Sequence, residues 1–257
     1  MHGELTVSAS TVLAFALVLI RLVGIFVLIP LPVKDAGPNA ARILFAIACT
    51  IALFPVWPQV DASQATLGMM FCWVLSETTL GLAIGLMVSF LAEAMTFGAQ
   101  VLGQQAGYAY ASIVDPMTQA DSDVLPAATQ VLAGLLFFTT GLHRVIVSVL
   151  ASTLTTYPPG HFQLSQQLAT TVIRLSASTF NFGLRLAFPI VGLLLMTDIA
   201  LALLGRLNAQ IHLSMQAFPV KMLLNLIALI AIFATAPLLY QSFADQVIGA
   251  LRNYFVR

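Results

Sequence analysis

Hydrophobic segments separated by short polar breaks run along the whole chain. A transmembrane helix needs about 20 apolar residues, and the longer segments can hold two helices or one bent helix. The pattern therefore predicts an all-α, polytopic membrane-type protein with about six or seven helices. The apolar segments are residues 7–31, 40–58, 66–97, 124–157, 168–204 and 217–244.

Prolines and glycines mark the ends of these segments. Proline stops a helix at or before the preceding residue, so we expect breaks at residues 55–58 and 157–160. Residues 30–38 form a proline-rich connector, and residues 141–144 are a candidate interruption of the fourth segment.

Two further prolines lie in the C-terminal third. Pro189 lies inside an apolar segment and predicts a kinked helix. Pro219, in Phe218-Pro-Val-Lys221, opens the last segment, and we interpret it as a proline in a first helical turn. Between these prolines, Asp198 and Arg206 are spaced by about two turns and should lie on roughly the same side of a helix.

Composition supports a membrane or assembly-buried protein. Hydrophobic residues make up 60% of the chain and charged residues 8%, against about 25% charged in soluble domains. The net charge is zero with no basic run, which argues against nucleic acid as a partner. Single, scattered Lys and Arg residues leave the membrane orientation undecided.

The sequence carries no enzyme signature. It has no H-E-x-x-H, no G-x-S-x-G, no phosphate-binding loop and no C-x-x-C. Asp115 and Asp198 could imitate an aspartyl protease pair, but nothing in their spacing supports it. Cys49 and Cys72 are typical of small apolar residues, and the histidines lack metal-ligand spacing. We therefore predict a protein that is not an enzyme and holds no cofactor or metal.

The stretch from Gly98 to Asp123 is polar within an otherwise apolar chain. Unsatisfied polar groups are costly in lipid, so something else must surround it. Gln100 and Gln104 are i,i+4 neighbours on a helix, and with the flanking glycines we expect one polar, small-residue face. That face is either a polar helix end or the wall of an aqueous passage. The glycines are Gly98, Gly103 and Gly107.

Bulky side chains follow this face. On a glycine-hinged segment they can block a pore, so we hypothesise a gating plug over residues 107–122. Its members are Tyr108, Tyr110, Ile113, Asp115, Pro116 and Met117.

Charged residues recur within or beside the apolar helices. Such charges are rare in lipid and face the bundle interior, so these helices should be covered by protein as much as by lipid. Glu77 precedes Gly81 by one turn in the packing motif Gly81-x-x-x-Gly85. We favour a structural pair of Glu77 with Arg21 or Arg42 over a proton relay. The charged set is Arg21, Glu77, Glu93, Arg174, Arg185, Asp198 and Arg206.

In order and spacing, a series of residues resembles the FliR family of flagellar export-gate proteins and their counterparts in virulence type III secretion. No single motif is diagnostic. Pro189, Asp198 and Phe218-Pro-Val-Lys221 also resemble FliP, another gate subunit. The series is Arg21, Pro30, Pro32, Arg42, Pro55, Glu77-x-x-x-Gly81-x-x-x-Gly85, Gly98, Gly103-Gln-Gln-Ala-Gly107, Val114-Asp115-Pro116, Pro189, Leu204-Gly-Arg206, Gln210 and Phe218-Pro-Val-Lys221.

The resemblance implies a single export-gate domain over residues 1–257, with the glycine/glutamine helix and plug at about 98–123 and a FliP-like part at about 170–245. It implies kinked helical hairpins that assemble with FliP and FliQ in a helical ring, with FlhB and FlhA nearby. Unfolded flagellar proteins would pass through that ring, in the bacterial inner membrane at the flagellar basal body. The scattered charges, including Lys221, would be structural or pair across subunit interfaces.

Two alternatives stay open. A virulence injectisome subunit would differ only in its substrate. A small-molecule or ion transporter using Glu77 or Asp198 is also compatible with the charges, although the internal repeats usual for transporters are not evident.

Overall fold

The computed structural model describes residues 8–29, 39–60, 66–106, 124–207 and 213–256. These residues form seven α-helices and one short 3-10 helix, so the all-α prediction and the expected number of helices are confirmed for them. The helices are α1 (Ala9–Leu28), α2 (Asn39–Ala52), the 3-10 helix (Phe54–Val56), α3 (Leu67–Ala106), α4 (Val124–Thr139), α5 (Leu142–Thr156), α6 (Gln166–Leu207) and α7 (Leu213–Phe255).

Helix ends follow the local sequence at three predicted breaks. The helix α2 ends at Ala52, and the 3-10 turn that follows carries Pro55. The fourth apolar segment divides at Gly141, whose φ is 73°, and α4 and α5 meet there at a bend of 64°. Glycine takes such a left-handed φ without steric penalty. The α5 helix ends at Thr156, directly before the predicted 157–160 turn. The 30–38 connector lies outside the described residues.

The prediction for Pro219 is wrong. The helix α7 begins at Leu213, more than one turn before this proline. Proline favours the first turn of a helix because its missing N–H is not needed there. Relying on that local preference alone put the predicted start of the helix too late. Leu, Met, Gln and Ala, which precede Pro219, are strong helix formers and extend the helix backwards. The other proline, Pro189, lies inside a continuous α6.

Three described helices are long and apolar enough to cross a membrane: Ala9–Leu28, Leu67–Gln105 and Gln166–Leu207. The bent α4–α5 pair would make a fourth span if it crosses as one unit. The chain thus has several apolar helices that suit a membrane, fewer than its total number of helices.

The chain divides into two compact units, and the long helices contribute to both. The first unit comprises Met1–Phe90, Phe137–Leu175 and Asp245–Arg257; the second comprises Leu91–Leu136 and Ser176–Ala244. Fully buried side chains of the first unit include Leu22, Ile25, Leu80, Ile84, Val149 and Phe255. Those of the second include Leu91, Met95, Leu102, Ala133, Leu194 and Tyr240.

The connector between α5 and α6 ties the first unit together. The Ser76 hydroxyl donates to the Phe162 carbonyl at 3.2 Å, and the Tyr157 hydroxyl donates to the Tyr254 carbonyl at 3.3 Å. The hydroxyls of Ser165 and Tyr254 are 2.6 Å apart. The end of α7 is thereby fixed to a connector that lies far from it in sequence.

Candidate functional site

The polar end of α3 carries the glutamines that the sequence singled out. This helix continues to Ala106, so Gln100 and Gln104 lie on a helix as predicted. Both glutamines are exposed, while Ala99 and Leu102 beside them are buried. The glutamines therefore form an accessible amide strip on a helix that is otherwise packed.

Gly98 lies on a different face from the glutamines, which corrects the expected single polar, small-residue face. Gly98 and Gly103 are both buried. A Cβ added to Gly98 would lie 2.8 Å from the Gly183 carbonyl oxygen, and one added to Gly183 would lie 2.8 Å from the Ala94 carbonyl oxygen. Small residues let helix backbones approach closely, so Gly98 and Gly183 serve the packing of α3 on α6. Gln100 is about 200° around the helix from Gly98, which leaves it on the open side.

Polar contacts also hold the last turn of α3. Gln105 Nε2 donates to Asp198 Oδ2 of α6 over a long 3.4 Å, and Lys221 Nζ of α7 lies 2.5 Å from Asp198 Oδ1. Asp198 is therefore paired with Lys221 and not with Arg206, which is exposed. Sequence reasoning missed Gln105, and its place beside Gln104 was the available signal.

The first unit contains a deeply buried ion pair. The Arg21 guanidinium donates through Nε to Glu77 Oε2 at 2.5 Å and through Nη2 to Glu77 Oε1 at 3.0 Å. It also donates to Thr153 Oγ1 at 3.2 Å and to the Tyr157 carbonyl at 3.0 Å. Both charged side chains are 1% exposed. A bidentate pair with further hydrogen bonds is the arrangement in which buried charges are tolerated.

This geometry decides between the two partners considered for Glu77. Arg42 instead donates to the Val27 carbonyl at 2.8 Å and is half-buried. The observed ion-pair partners of Arg21, Glu77, Asp198 and Lys221 lie within the chain, which fits the structural alternative expected for these charges. Arg185 is exposed and forms no ion pair within the described ranges.

Glycines bring α1 and α3 together beside this ion pair. A Cβ on Gly85 would lie 2.7 Å from the Ile25 carbonyl oxygen, and one on Gly81 would overlap the Arg21 carbonyl. A Cβ on Gly24 would lie 3.1 Å from the Leu82 nitrogen. Gly81-x-x-x-Gly85 is therefore a packing motif of the first unit.

The proposed plug residues Gly107, Tyr108, Tyr110, Ile113, Asp115, Pro116 and Met117 lie outside the described residues. Within the described ranges, no group of three or more His, Cys, Asp or Glu side chains could hold a metal ion.

A model of the family described as bacterial export proteins, family 1, matches residues 12–247. The chain belongs to this family. Members are transport components, so the predictions of an export protein of the FliR type and of a protein without enzymatic activity are confirmed.

Three relatives in this export family are each named flagellar biosynthetic protein FliR. The Escherichia coli protein is 26% identical, over 91% of this chain and 88% of its own length. The Bacillus subtilis protein is 23% identical over 93% of both. The Caulobacter vibrioides protein is 24% identical, over 85% of this chain and 88% of its own length. The similarity thus spans nearly the whole of each export protein.

Proposed function

We propose that this export protein lines part of the channel of the flagellar type III export gate. In this proposal it assembles with FliP and FliQ homologues in a helical ring, with FlhB and FlhA nearby. The ring lies in the bacterial inner membrane at the flagellar basal body, and unfolded flagellar proteins pass through it. The flagellar names of its relatives favour this substrate over that of a virulence injectisome.

The observation that carries the proposal is the exposed glutamine strip. Gln100 and Gln104 face outwards from an apolar helix whose opposite side is packed through Gly98. Amide groups in lipid would lose their hydrogen bonds. An aqueous passage satisfies them, and it suits a polypeptide in transit because amides both donate and accept.

Uncovered apolar surface supports assembly. In the most apolar 18-residue stretch of α6, only 17% is buried within the chain, whereas in the corresponding stretch of α3 67% is buried. Lipid and neighbouring helices are the two environments that cover such a surface. A ring of apolar helices would bury it without needing many charged residues at the subunit contacts.

A plug over residues 107–122 completes the proposal. Its support is the sequence: two tyrosines, an isoleucine and a methionine follow Gly107, with Asp115 among them and Asp121 and Asp123 after them. Bulky groups on a hinged segment can close a pore, and the acidic end keeps the segment in water.

Assembly is tested by purifying the tagged full chain in mild detergent after co-expression with FliP and FliQ homologues. We expect one large, stable complex containing all three proteins. An active monomer or dimer without them would contradict the gate and favour a transporter.

The plug is tested in that complex. Deleting residues 107–122 should make the reconstituted gate leak ions, and the triple variant Tyr108→Ser/Tyr110→Ser/Met117→Ser should leak while keeping the chain length. If both variants assemble normally and stay tight, these residues do not close the channel.

A further inference from the structure

The exposed polar strip of α3 extends beyond the two glutamines. Glu93 precedes Gln100 by seven residues, or nearly two helical turns, so it lies about 20° from Gln100 around the helix and about 10 Å along it. Glu93, Gln100 and Gln104 are all exposed, whereas Leu91, Ala92, Ala94 and Met95 around Glu93 are buried. Together, Glu93, Gln100 and Gln104 form what we call the polar stripe.

Packing within the second unit fixes which way the polar stripe points. Ala94 and Gly98 lie against Gly183 of α6, where an added Cβ would come within 2.8 Å of backbone oxygens. Leu102 continues this packed face with no exposed surface. Rotating α3 would break these backbone contacts, so Glu93 is held on the opposite, open side.

Glu93 has no ion-pair partner among the described residues, where the ion pairs join Arg21 to Glu77 and Lys221 to Asp198. An unpaired carboxylate is strongly unfavourable in lipid. Of the three other acidic side chains on the long helices, Glu77 and Asp198 are each neutralised by a neighbouring cation, and Asp245 is exposed ten residues before the end of α7. Glu93 therefore needs water or a mobile cation in front of it.

We propose that Glu93 is a selectivity residue of the channel, lining the same aqueous wall as Gln100 and Gln104. This inference rests on the proposed channel function. Its carboxylate lies about 10 Å from the glutamine strip and gives that wall a negative charge. Negative charge on a pore wall attracts cations and repels anions. The wall would also attract basic segments of a polypeptide in transit.

The first test measures ion selectivity in the gate complex, made conductive by deleting residues 107–122 and reconstituted in a planar bilayer under a potassium chloride gradient. The isosteric Glu93→Gln should lower the K⁺ to Cl⁻ permeability ratio by up to about 25-fold, because one negative charge about 4 Å from an ion in water favours K⁺ and disfavours Cl⁻ by about fivefold each. Glu93→Lys should lower it further. Asp245→Asn, which removes an exposed carboxylate from the first unit, is the matched control and should leave the ratio unchanged.

The second test does not need a conducting gate. In a Cys49→Ala/Cys72→Ala background, the variants Glu93→Cys and Gln100→Cys in the intact complex should react with a charged methanethiosulfonate reagent. Ala94→Cys, one residue away and fully buried, should not react.

The outcomes separate the two proposals. The selectivity role is wrong if the complex assembles but Glu93→Cys does not react, or if the gate conducts and Glu93→Gln leaves its ion selectivity unchanged. Glu93 would then face a partner subunit, and the proposed gate function would be unaffected. If the chain forms no complex with FliP and FliQ homologues, both proposals are wrong, because no passage exists for the polar stripe to line.

Discussion

The two units each hold an ion pair and a glycine-mediated helix contact, but they bury the ion pair to very different degrees. In the first unit, the Arg21–Glu77 side chains are 1% exposed and make two further hydrogen bonds. In the second, the Lys221 and Asp198 side chains are 21% and 33% exposed. The same kinds of residue therefore build a closed core in one unit and an accessible surface in the other.

This difference shows which unit is complete by itself. A buried pair is tolerated when its donors and acceptors have partners, and in the Arg21 cluster all three guanidinium nitrogens and both Glu77 oxygens have one within the chain. The second unit combines a partly exposed ion pair with the polar stripe and a largely uncovered α6. We expect the first unit to set the stability of the chain and the second to set its interactions.

The largest effect should come from breaking the buried pair. Arg21→Ala leaves the Glu77 carboxylate buried without its cation, which destabilises a protein by about 3–5 kcal/mol. Both tryptophans, Trp57 and Trp73, belong to the first unit, so thermal unfolding of the purified chain followed by tryptophan fluorescence reports on it.

The control for that experiment removes both charges together. Arg21→Met/Glu77→Leu leaves no unpaired ion and should lose much less stability than Arg21→Ala alone. Equal losses of stability in the two variants would mean that side-chain packing, and not the ion pair, stabilises this part of the first unit.

A smaller loss is expected from filling the α1–α3 contact. Gly85→Ala places a Cβ 2.7 Å from a backbone oxygen, and overpacking of this kind destabilises by about 1–3 kcal/mol. Gly249→Ala, also helical but with nothing within 4 Å of the added Cβ, should be neutral or stabilise by up to about 1 kcal/mol. Thermal unfolding distinguishes them, and similar effects would contradict the close contact.

The exposed pair of the second unit should matter less. Asp198→Asn should lower stability by about 0.2–1 kcal/mol, the range for solvent-accessible pairs. Hydrogen exchange of the backbone amides of α6 and α7 measures this loss of stability. The charge swap Asp198→Lys/Lys221→Asp should restore the protection of these amides. A loss as large as that of Arg21→Ala would remove the contrast between the units.

The smallest effect on the chain itself should come from the open face of α6. Met196 is 75% exposed, so Met196→Ser should change stability by no more than about 0.5 kcal/mol while reducing the FliP and FliQ homologues that co-purify. Leu194→Ala, at a fully buried position, should instead destabilise the second unit by about 2–5 kcal/mol. Unchanged co-purification with Met196→Ser would place the partners elsewhere.

Much of the secondary structure was predictable because its signals are local. The breaks at residues 55–58, 141–144 and 157–160 follow from proline and glycine backbone restrictions. The start of α7 was not predictable from these local signals. Proline favours the first turn of a helix, but Pro219 gives the same signal when the helix begins earlier, as it does here at Leu213. The polar character of Gln100 and Gln104 was also readable from the sequence.

The faces of α3 were only partly predictable. Glycines and glutamines were expected on one face because both break an apolar pattern, but they do so for opposite reasons. Gly98 is small so that α6 can approach, and Gln100 is polar because it remains open. The heptad spacing from Glu93 to Gln100 was a usable signal for the polar stripe that the sequence reasoning did not exploit.

The sequence by itself determined the all-α class, the main helix breaks, the export family and a polar stretch in an apolar chain, because each depends on residue order and local conformation. Only the tertiary structure decided that Glu77 pairs with Arg21 rather than Arg42, and that Gly98 turns inwards while Gln100 turns outwards. Those choices depend on contacts between helices far apart in sequence. Helical periodicity defines the faces of a helix, but the neighbouring helix selects which of them is buried.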